Sequence, residues 1–291
     1  MDRHARKEGW TTIIRPRNGW FDIHLGELFR YRDLILLMVK RNFTVLYKQT
    51  VLGPAWVVFQ PLLTTFVFTI VFGFIAGLPT DGLPKPVFYM GGSVCWNFFA
   101  NCLTNTSNTF IKNSDLFGKV YFPRLCVPIS VVITELINFF VQFALFIAIT
   151  LYYSLMVRHK PIQPNWALMP LTPLLLLQLG ILGLGCGIIV SAVTTKYRDL
   201  AMLVSFGVHL WMYYTPITYS TSLVMQRYPN MMGVYMLNPI TPIIEVFRAA
   251  FLGTEVYSYS YNVQSVIVTI AVFVLGVILF SRVEKTFMDT V

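Results

Sequence analysis

Glu135 is the one acidic side chain, of thirteen in this chain, that falls inside an apolar run. A carboxylate near the centre of a membrane helix costs about 3 kcal/mol on insertion scales. Asn138 and Gln142 follow it at one and two helical turns and share its face. Two readings of that trio stand side by side: a polar face turned toward a conduit, or a carboxyl group protonated or hydrogen-bonded within helix packing. In another apolar run Asn97, Asn101 and Asn105 recur at four-residue steps, with Thr104 and Asn108 beside them. A conduit lined by that face would be wet and neutral, unlike a filter built from charged rings. Aromatic residues are dense at Trp96, Phe98 and Phe99, at Tyr152 and Tyr153, at Trp211, Tyr213, Tyr214 and Tyr219, and at Tyr257, Tyr259 and Tyr261. A belt at the membrane–water boundary accounts for most of them. Tyr and Trp rings also present flat apolar faces with a polar edge, which suits sliding contact with a sugar chain.

Other chemistries have no residues to carry them. No GxxxxGK(S/T) occurs, so no nucleotide is expected on a P-loop of this chain's own. HExxH and GxSxG are also missing. His4, His24, His159 and His209 are scattered, and His209, alone within an apolar run, reads as a packed side chain. Cys95, Cys102, Cys126 and Cys186 show no CxxC spacing and read as packing residues or inert thiols. A proton-coupled carrier would show several buried ionisable groups in relay, and a membrane enzyme a catalytic cluster at an interface. Neither pattern is present, so no catalytic residue, metal ligand or cofactor is expected.

The elements that must position these residues are membrane helices. Hydrophobic residues make up 56% of the 291, aromatics 15% and charged residues only 12%, about half the charged share of a soluble domain. From residue 54 to residue 77 no side chain is charged, enough for a helix to cross a bilayer core of about 20 residues. Further apolar runs lie at 87–107, 127–156, 167–193, 200–219 and 263–280, giving six spans with both termini on one side. Of the 22 Lys and Arg, seventeen fall on the side of the termini, which is therefore expected to be cytoplasmic. The net charge of +9 reflects this flanking pattern rather than a nucleic-acid face. Arg3, Arg6, Lys7, Arg15 and Arg17 are followed by no apolar core, so no signal peptide is expected.

The expected organisation is a cytoplasmic extension and interfacial helix at 1–53, a six-span domain at 54–281 and a cytoplasmic tail at 282–291. Leu28, Tyr31, Ile35, Val39, Phe43 and Leu46 recur at three- and four-residue steps, with Arg30, Lys40 and Arg41 beside the stripe. Such a helix lies flat in the membrane interface. The segment 112–124 reads as a polar cytoplasmic turn broken at Gly118 and Pro123. Residues 219–262 hold two short helical pieces separated at Asn238, Pro239 and Pro242. The second places Glu245 and Arg248 three residues apart, where they can pair. So apolar an outer segment is expected to dip back into the bilayer, which only surrounding protein or a wet cavity permits.

Local sequences then match a family. Tyr47-Lys48-Gln49-Thr50-Val51-Leu52-Gly53-Pro54-Ala55-Trp56, followed by Gln60-Pro61-Leu62, resembles the opening of permease subunits of ABC-2-type polysaccharide exporters. Lys119-Val120-Tyr121-Phe122-Pro123-Arg124 resembles their first cytoplasmic loop, and Lys196-Tyr197-Arg198-Asp199-Leu200 their second. Trp211 through Pro216 and Tyr219, then Leu237-Asn238-Pro239 and Glu245-Val246-Phe247-Arg248, resemble their outer re-entrant region. The likeness runs in order from about residue 14 to residue 280, with O-antigen permeases nearest and capsule and teichoic-acid permeases beside them.

The resemblance implies an all-α, six-span permease acting as a homodimer in the bacterial inner membrane, with two copies of a separate ATPase that carries ATP and Mg. It implies ATPase coupling through Lys112, Asp115, Lys119, Tyr121, Phe122 and Arg124, and through Lys196, Arg198 and Asp199. The implied substrate is a glycan on a polyprenyl diphosphate lipid. Arg41 and Lys48 could dock the diphosphate, or equally bind ordinary anionic lipid. A channel lined by Trp96, Asn97, Phe99, Asn101, Asn105, Glu135, Tyr213 and Tyr219, with Glu245 and Arg248 as its outer gate, completes the expectation. An ABC-2 exporter of small drugs or lipids is the alternative within transport. A glycosyl- or acyltransferase is the alternative outside it.

Overall fold

The computed structural model describes residues 25–48, 53–109, 113, 122–156, 162–194, 199–256 and 258–290, with side chains as far as residue 280 in the last helix. All regular structure among these residues is helical. Two short helices, α1 (Leu25–Arg30) and α2 (Arg32–Tyr47), lead through a 3₁₀ turn into α3 (Trp56–Phe68). α3 continues as a π-helical turn at Thr69–Ile75. Then come α4 (Lys85–Ser107), α5 (Cys126–Met156), α6 (Thr172–Thr194) and α7 (Leu200–Tyr214). Short α8 (Thr221–Arg227) and α9 (Met232–Tyr235) precede α10 (Ile240–Leu252) and the long α11 (Ser260–Thr290).

Four stretches combine span length with high apolarity: Trp56–Ile75, Cys126–Met156, Met169–Thr194 and Ser260–Phe280. The other two expected runs differ for identifiable reasons. α4 has 23 residues, about 34 Å at 1.5 Å per residue, but Asn97, Asn101 and Asn105 dilute its hydropathy. It is buried for most of its length, while the three asparagines themselves are half-buried. α7 stops after 15 residues because Pro216 follows. The residue before a proline is driven out of the helical region, and Thr215 is extended at ψ 144°.

α4 is the central post. α6, α5, α3 and α10 pack around it, and α11 packs on the far side of α6. The core joins Tyr89, Phe99, Phe139, Phe146, Leu179, Leu182 and Phe247. Phe143 stacks on Phe139 at 5.7 Å between centroids and meets Phe251 edge-on at 5.1 Å. A second cluster sits at the opposite end. There Ile35, Met38 and Val39 of α2 pack with Phe122, Cys126, Val127, Leu184, Ile188 and Phe280. The expected stripe on α2 is therefore used in part against its own protein, while Phe29, Leu36, Leu37 and Val45 stay exposed.

Membrane helices gain close packing where small residues let backbones approach. α6 and α11 cross in this way: a Cβ on Gly185 would lie 2.9 Å from the Phe273 Cα, and one on Gly276 would lie 2.8 Å from the Gly185 carbonyl oxygen. Gly185→Val is expected to destabilise the bundle by about 1–3 kcal/mol, the range for overpacked cores, read as a lower midpoint of thermal unfolding in detergent. Gly207→Ala, where nothing lies within 4 Å, is expected to leave the midpoint unchanged.

Candidate functional site

Three of the polar constellations among the described residues involve the expected site residues, and each joins elements distant in sequence. The first is a seam between α4 and α5. Asn105 Nδ2 donates to Glu135 Oε1 at 2.9 Å, and Asn138 Nδ2 donates to Glu135 Oε2 at 3.1 Å. Further along, Asn97 Nδ2 donates to Gln142 Oε1 at 3.3 Å. The four-residue step on α4 and the three- and seven-residue steps on α5 make this possible, because both sets line single helical faces. Glu135 is only 4% exposed, and each of its oxygens accepts an amide hydrogen. Asn101 lies half-buried on the same helix.

The aromatic residues expected along a channel divide between core and surface of the protomer. Trp96 and Phe99 are buried, 5.5 Å apart, and both meet Trp211 edge-on at 6.4 and 5.2 Å. Tyr213 is exposed over half its surface, its ring 6.5 Å from Phe72. Tyr219 is half-buried, and its hydroxyl donates to the carbonyls of Tyr213 and Tyr214 at the end of α7.

The second constellation holds α10, every residue of which is buried. Asn238 stands at its start and uses its whole amide. Its Oδ1 accepts from Trp211 Nε1 and from the Ile240 N–H, both at 3.2 Å, while its Nδ2 donates to Thr215 Oγ1 at 2.9 Å. Arg248, 4% exposed, donates from Nη1 to the Pro216 carbonyl and from Nη2 to those of Ile217 (3.0 Å) and Phe88 (3.2 Å). Its guanidinium lies 3.7 Å from the centre of the Phe88 ring. Arg suits this place because its planar fork offers five N–H donors. The space comes from Gly92, where a Cβ would stand 2.5 Å from Arg248 Nη2. Glu245, one turn before Arg248, is buried as well.

The third constellation lies at the end that carries α2. Arg41 Nη2 donates to Asn113 Oδ1 at 2.8 Å and to Asn42 Oδ1 at 3.2 Å. Asn42 Nδ2 in turn donates to Ser130 Oγ of α5 at 3.4 Å. Phe122 is buried in the cluster beneath α2, and Arg124 is half-buried beside it. Lys48 is exposed, its backbone N–H closing α2 on the Thr44 carbonyl at 2.9 Å. Asp199 is exposed at the start of α7. Lys112, Asp115, Lys119, Tyr121, Lys196 and Arg198 lie outside the described residues.

A family model described as ABC-2 type transporter matches residues 33–252. The chain belongs to that family. In this ABC-2 type transporter the matched interval opens in α2 and closes at the last residue of α10, so it takes in all three constellations. The chain is 26% identical over 266 residues to the O-antigen export system permease protein RfbA of Klebsiella pneumoniae, covering 91% of this chain and 96% of that one. It is 27% identical over 226 residues to the protein of the same name from Myxococcus xanthus, covering 77% and 82%.

Sequence spacing pointed to Glu135, Asn138, Gln142 and the α4 asparagines, and the structure brings Asn105 and Asn138 to Glu135 and Asn97 to Gln142. Gly92, Thr215, Asn42, Asn113 and Ser130 were not singled out as site residues. Their only signal was polar or small character inside otherwise apolar surroundings, and their partners lie 23 to 156 positions away.

Glu135→Leu is expected to leave the Asn105 and Asn138 amides without an acceptor, whereas Glu135→Gln keeps one of the two oxygens. The leucine variant is therefore expected to cost about 1–3 kcal/mol more, the penalty of one further unsatisfied group, checked by unfolding in detergent. Arg248→Met is expected to lower the thermal midpoint more than any neutral surface change, since three carbonyls lose their donor. Gly92→Ala is expected to act in the same direction and more weakly, and not to add to Arg248→Met, because both act on one contact.

Proposed function

We propose that this chain is the permease subunit of an ATP-driven exporter that moves lipid-linked polysaccharide, O-antigen by class, across the bacterial inner membrane. Family membership and the names carried by its relatives support export, and a separate ATPase as the energy source fits a sequence with no P-loop. In this reading α3, α4, α5, α6, α7 and α11 are the six spans, both termini are cytoplasmic, and α2 lies in the membrane interface. The outward faces of α3 (Trp56, Phe59, Leu63) and α7 (Met202, Leu203, Phe206, Leu210) are apolar and exposed, which suits lipid and a second copy in a homodimer.

The observation that carries the mechanism is the knot at the α2 end. Arg41 binds Asn113, Asn42 binds Ser130, and Phe122 is packed under α2. Both flanks of the segment that would contact the ATPase are thus fastened to α2 and to the start of α5. A push delivered there by nucleotide closure would move these parts as one body, the kind of rigid displacement that packed helices transmit. The glycan carrier would enter near Arg41 and Lys48. Its sugar chain would then pass along the aromatic and amide-rich surfaces and leave where α10, Glu245 and Arg248 close the other end.

The test is co-purification with the ATPase encoded beside this chain, with residues 112–124 intact and scrambled. The expected result is a stable assembly whose hydrolysis is stimulated by the intact permease and falls to the basal rate of the ATPase alone with the scrambled segment. Failure to capture an ATPase, or hydrolysis indifferent to the segment, would overturn the coupling. Hydrolysis without movement of lipid-linked glycan across vesicles would overturn the substrate class.

A further inference from the structure

A groove of about 1000 Å³ opens on the side of the bundle, between the second half of α3, the first turn of α4 and the last turns of α5. Leu62, Phe66, Ala148, Ile149 and Tyr152 give it apolar walls. Its volume is at the upper end of the roughly 300–1,000 Å³ of small-molecule sites. A cavity with such walls at membrane depth holds hydrocarbon rather than water.

Two polar features make it more than a gap between helices. Lys85 stands at its mouth, its ammonium donating to the Gly73 carbonyl in the π-helical turn and lying 4.3 Å from the centre of the Phe74 ring. An ammonium has three N–H donors, and no carboxylate lines the groove to claim the others. Asp81, the nearest acidic residue in sequence, accepts from Ser222 Oγ instead. Thr65 also lines the groove, 4% exposed, and its hydroxyl has no hydrogen-bond partner. Its neighbours Thr64 and Thr69 spend theirs on carbonyls four residues earlier, at 3.0 and 2.7 Å.

We propose that this groove holds one anionic glycerophospholipid, with its acyl chains between α3 and α5 and its phosphate at Lys85. Charge complementarity selects the occupant. One lysine at an apolar mouth matches a phosphodiester with a single charge, whereas a diphosphate calls for several cations or bidentate donors. Tyr152 and Tyr153 at the same rim fit the level where aromatic side chains meet headgroups. The site is separate from Arg41 and Lys48 and does not depend on what the transporter exports.

The test is native mass spectrometry of the full chain in mild detergent, titrated with phosphatidylglycerol or phosphatidylcholine. The expected result is one phosphatidylglycerol retained per protomer under activation that strips phosphatidylcholine. Lys85→Gln should lower that preference about tenfold, as for loss of one charge-assisted hydrogen bond, while leaving weak lipid adducts. Ala148→Phe should fill the groove and remove the retained lipid, with thermal unfolding checking that both variants are folded. Equal retention of the two lipids by the unchanged protein, or phosphatidylglycerol retention unaffected by Lys85→Gln, would overturn the proposal. Displacement of phosphatidylglycerol by equimolar polyprenyl monophosphate would overturn the assigned occupant.

Discussion

A helix that ends inside a membrane protein leaves carbonyls with no water to receive them, and Arg248 is where this chain meets that constraint. Pro216 forces α7 to stop, and the carbonyls of Pro216 and Ile217 are buried with the turn that follows. Arg248 reaches both from the fully buried α10 and takes the Phe88 carbonyl of α4 as well. One guanidinium therefore fastens three elements, and Asn238, just before α10, repeats the device by joining Trp211, Thr215 and the start of α10. Unsatisfied backbone groups cost several kcal/mol each in lipid, so the interrupted helices depend on these two side chains.

The central position of α4 follows from the same physics. Its three asparagines make it a poor lipid-facing helix, and four other helices pack around it. Asn105 and Asn97 then find Glu135 and Gln142 on α5, which gives a buried carboxylate two amide donors in place of water. Polar residues in such interfaces fix which faces meet and in what register, because any slip along the helices leaves them unpaired.

At the other end, contact between α2 and the bundle is partly apolar and partly polar. Ile35, Met38 and Val39 bury against Phe122, Val127 and Ile188, and the Arg41–Asn113 and Asn42–Ser130 bonds set the angle at which they do so. In the proposed coupling this end would receive the push, since a rigid joint there would pass on displacement that a loose one would absorb.

The sequence by itself determined the class of the protein. Long uncharged runs, flanking Lys and Arg and the absence of catalytic or nucleotide motifs are local properties, legible without knowing any contact. The α-helical period also made the Glu135–Asn138–Gln142 face and the asparagine ladder of α4 readable, because residues on one helix keep a known geometry. Tertiary structure alone decided what those faces meet. It paired Asn105 with Glu135 and Asn97 with Gln142, turned Trp96 and Phe99 into the core and left Tyr213 outside, all outcomes of helix crossing that sequence spacing does not encode. It also decided the length of α7 and the partners of Arg248. The i, i+3 spacing suggested Glu245, and the structure adds three carbonyls from two other elements as acceptors for its Nη1 and Nη2. A side chain's local neighbours follow from backbone period, whereas its distant ones depend on how whole helices cross.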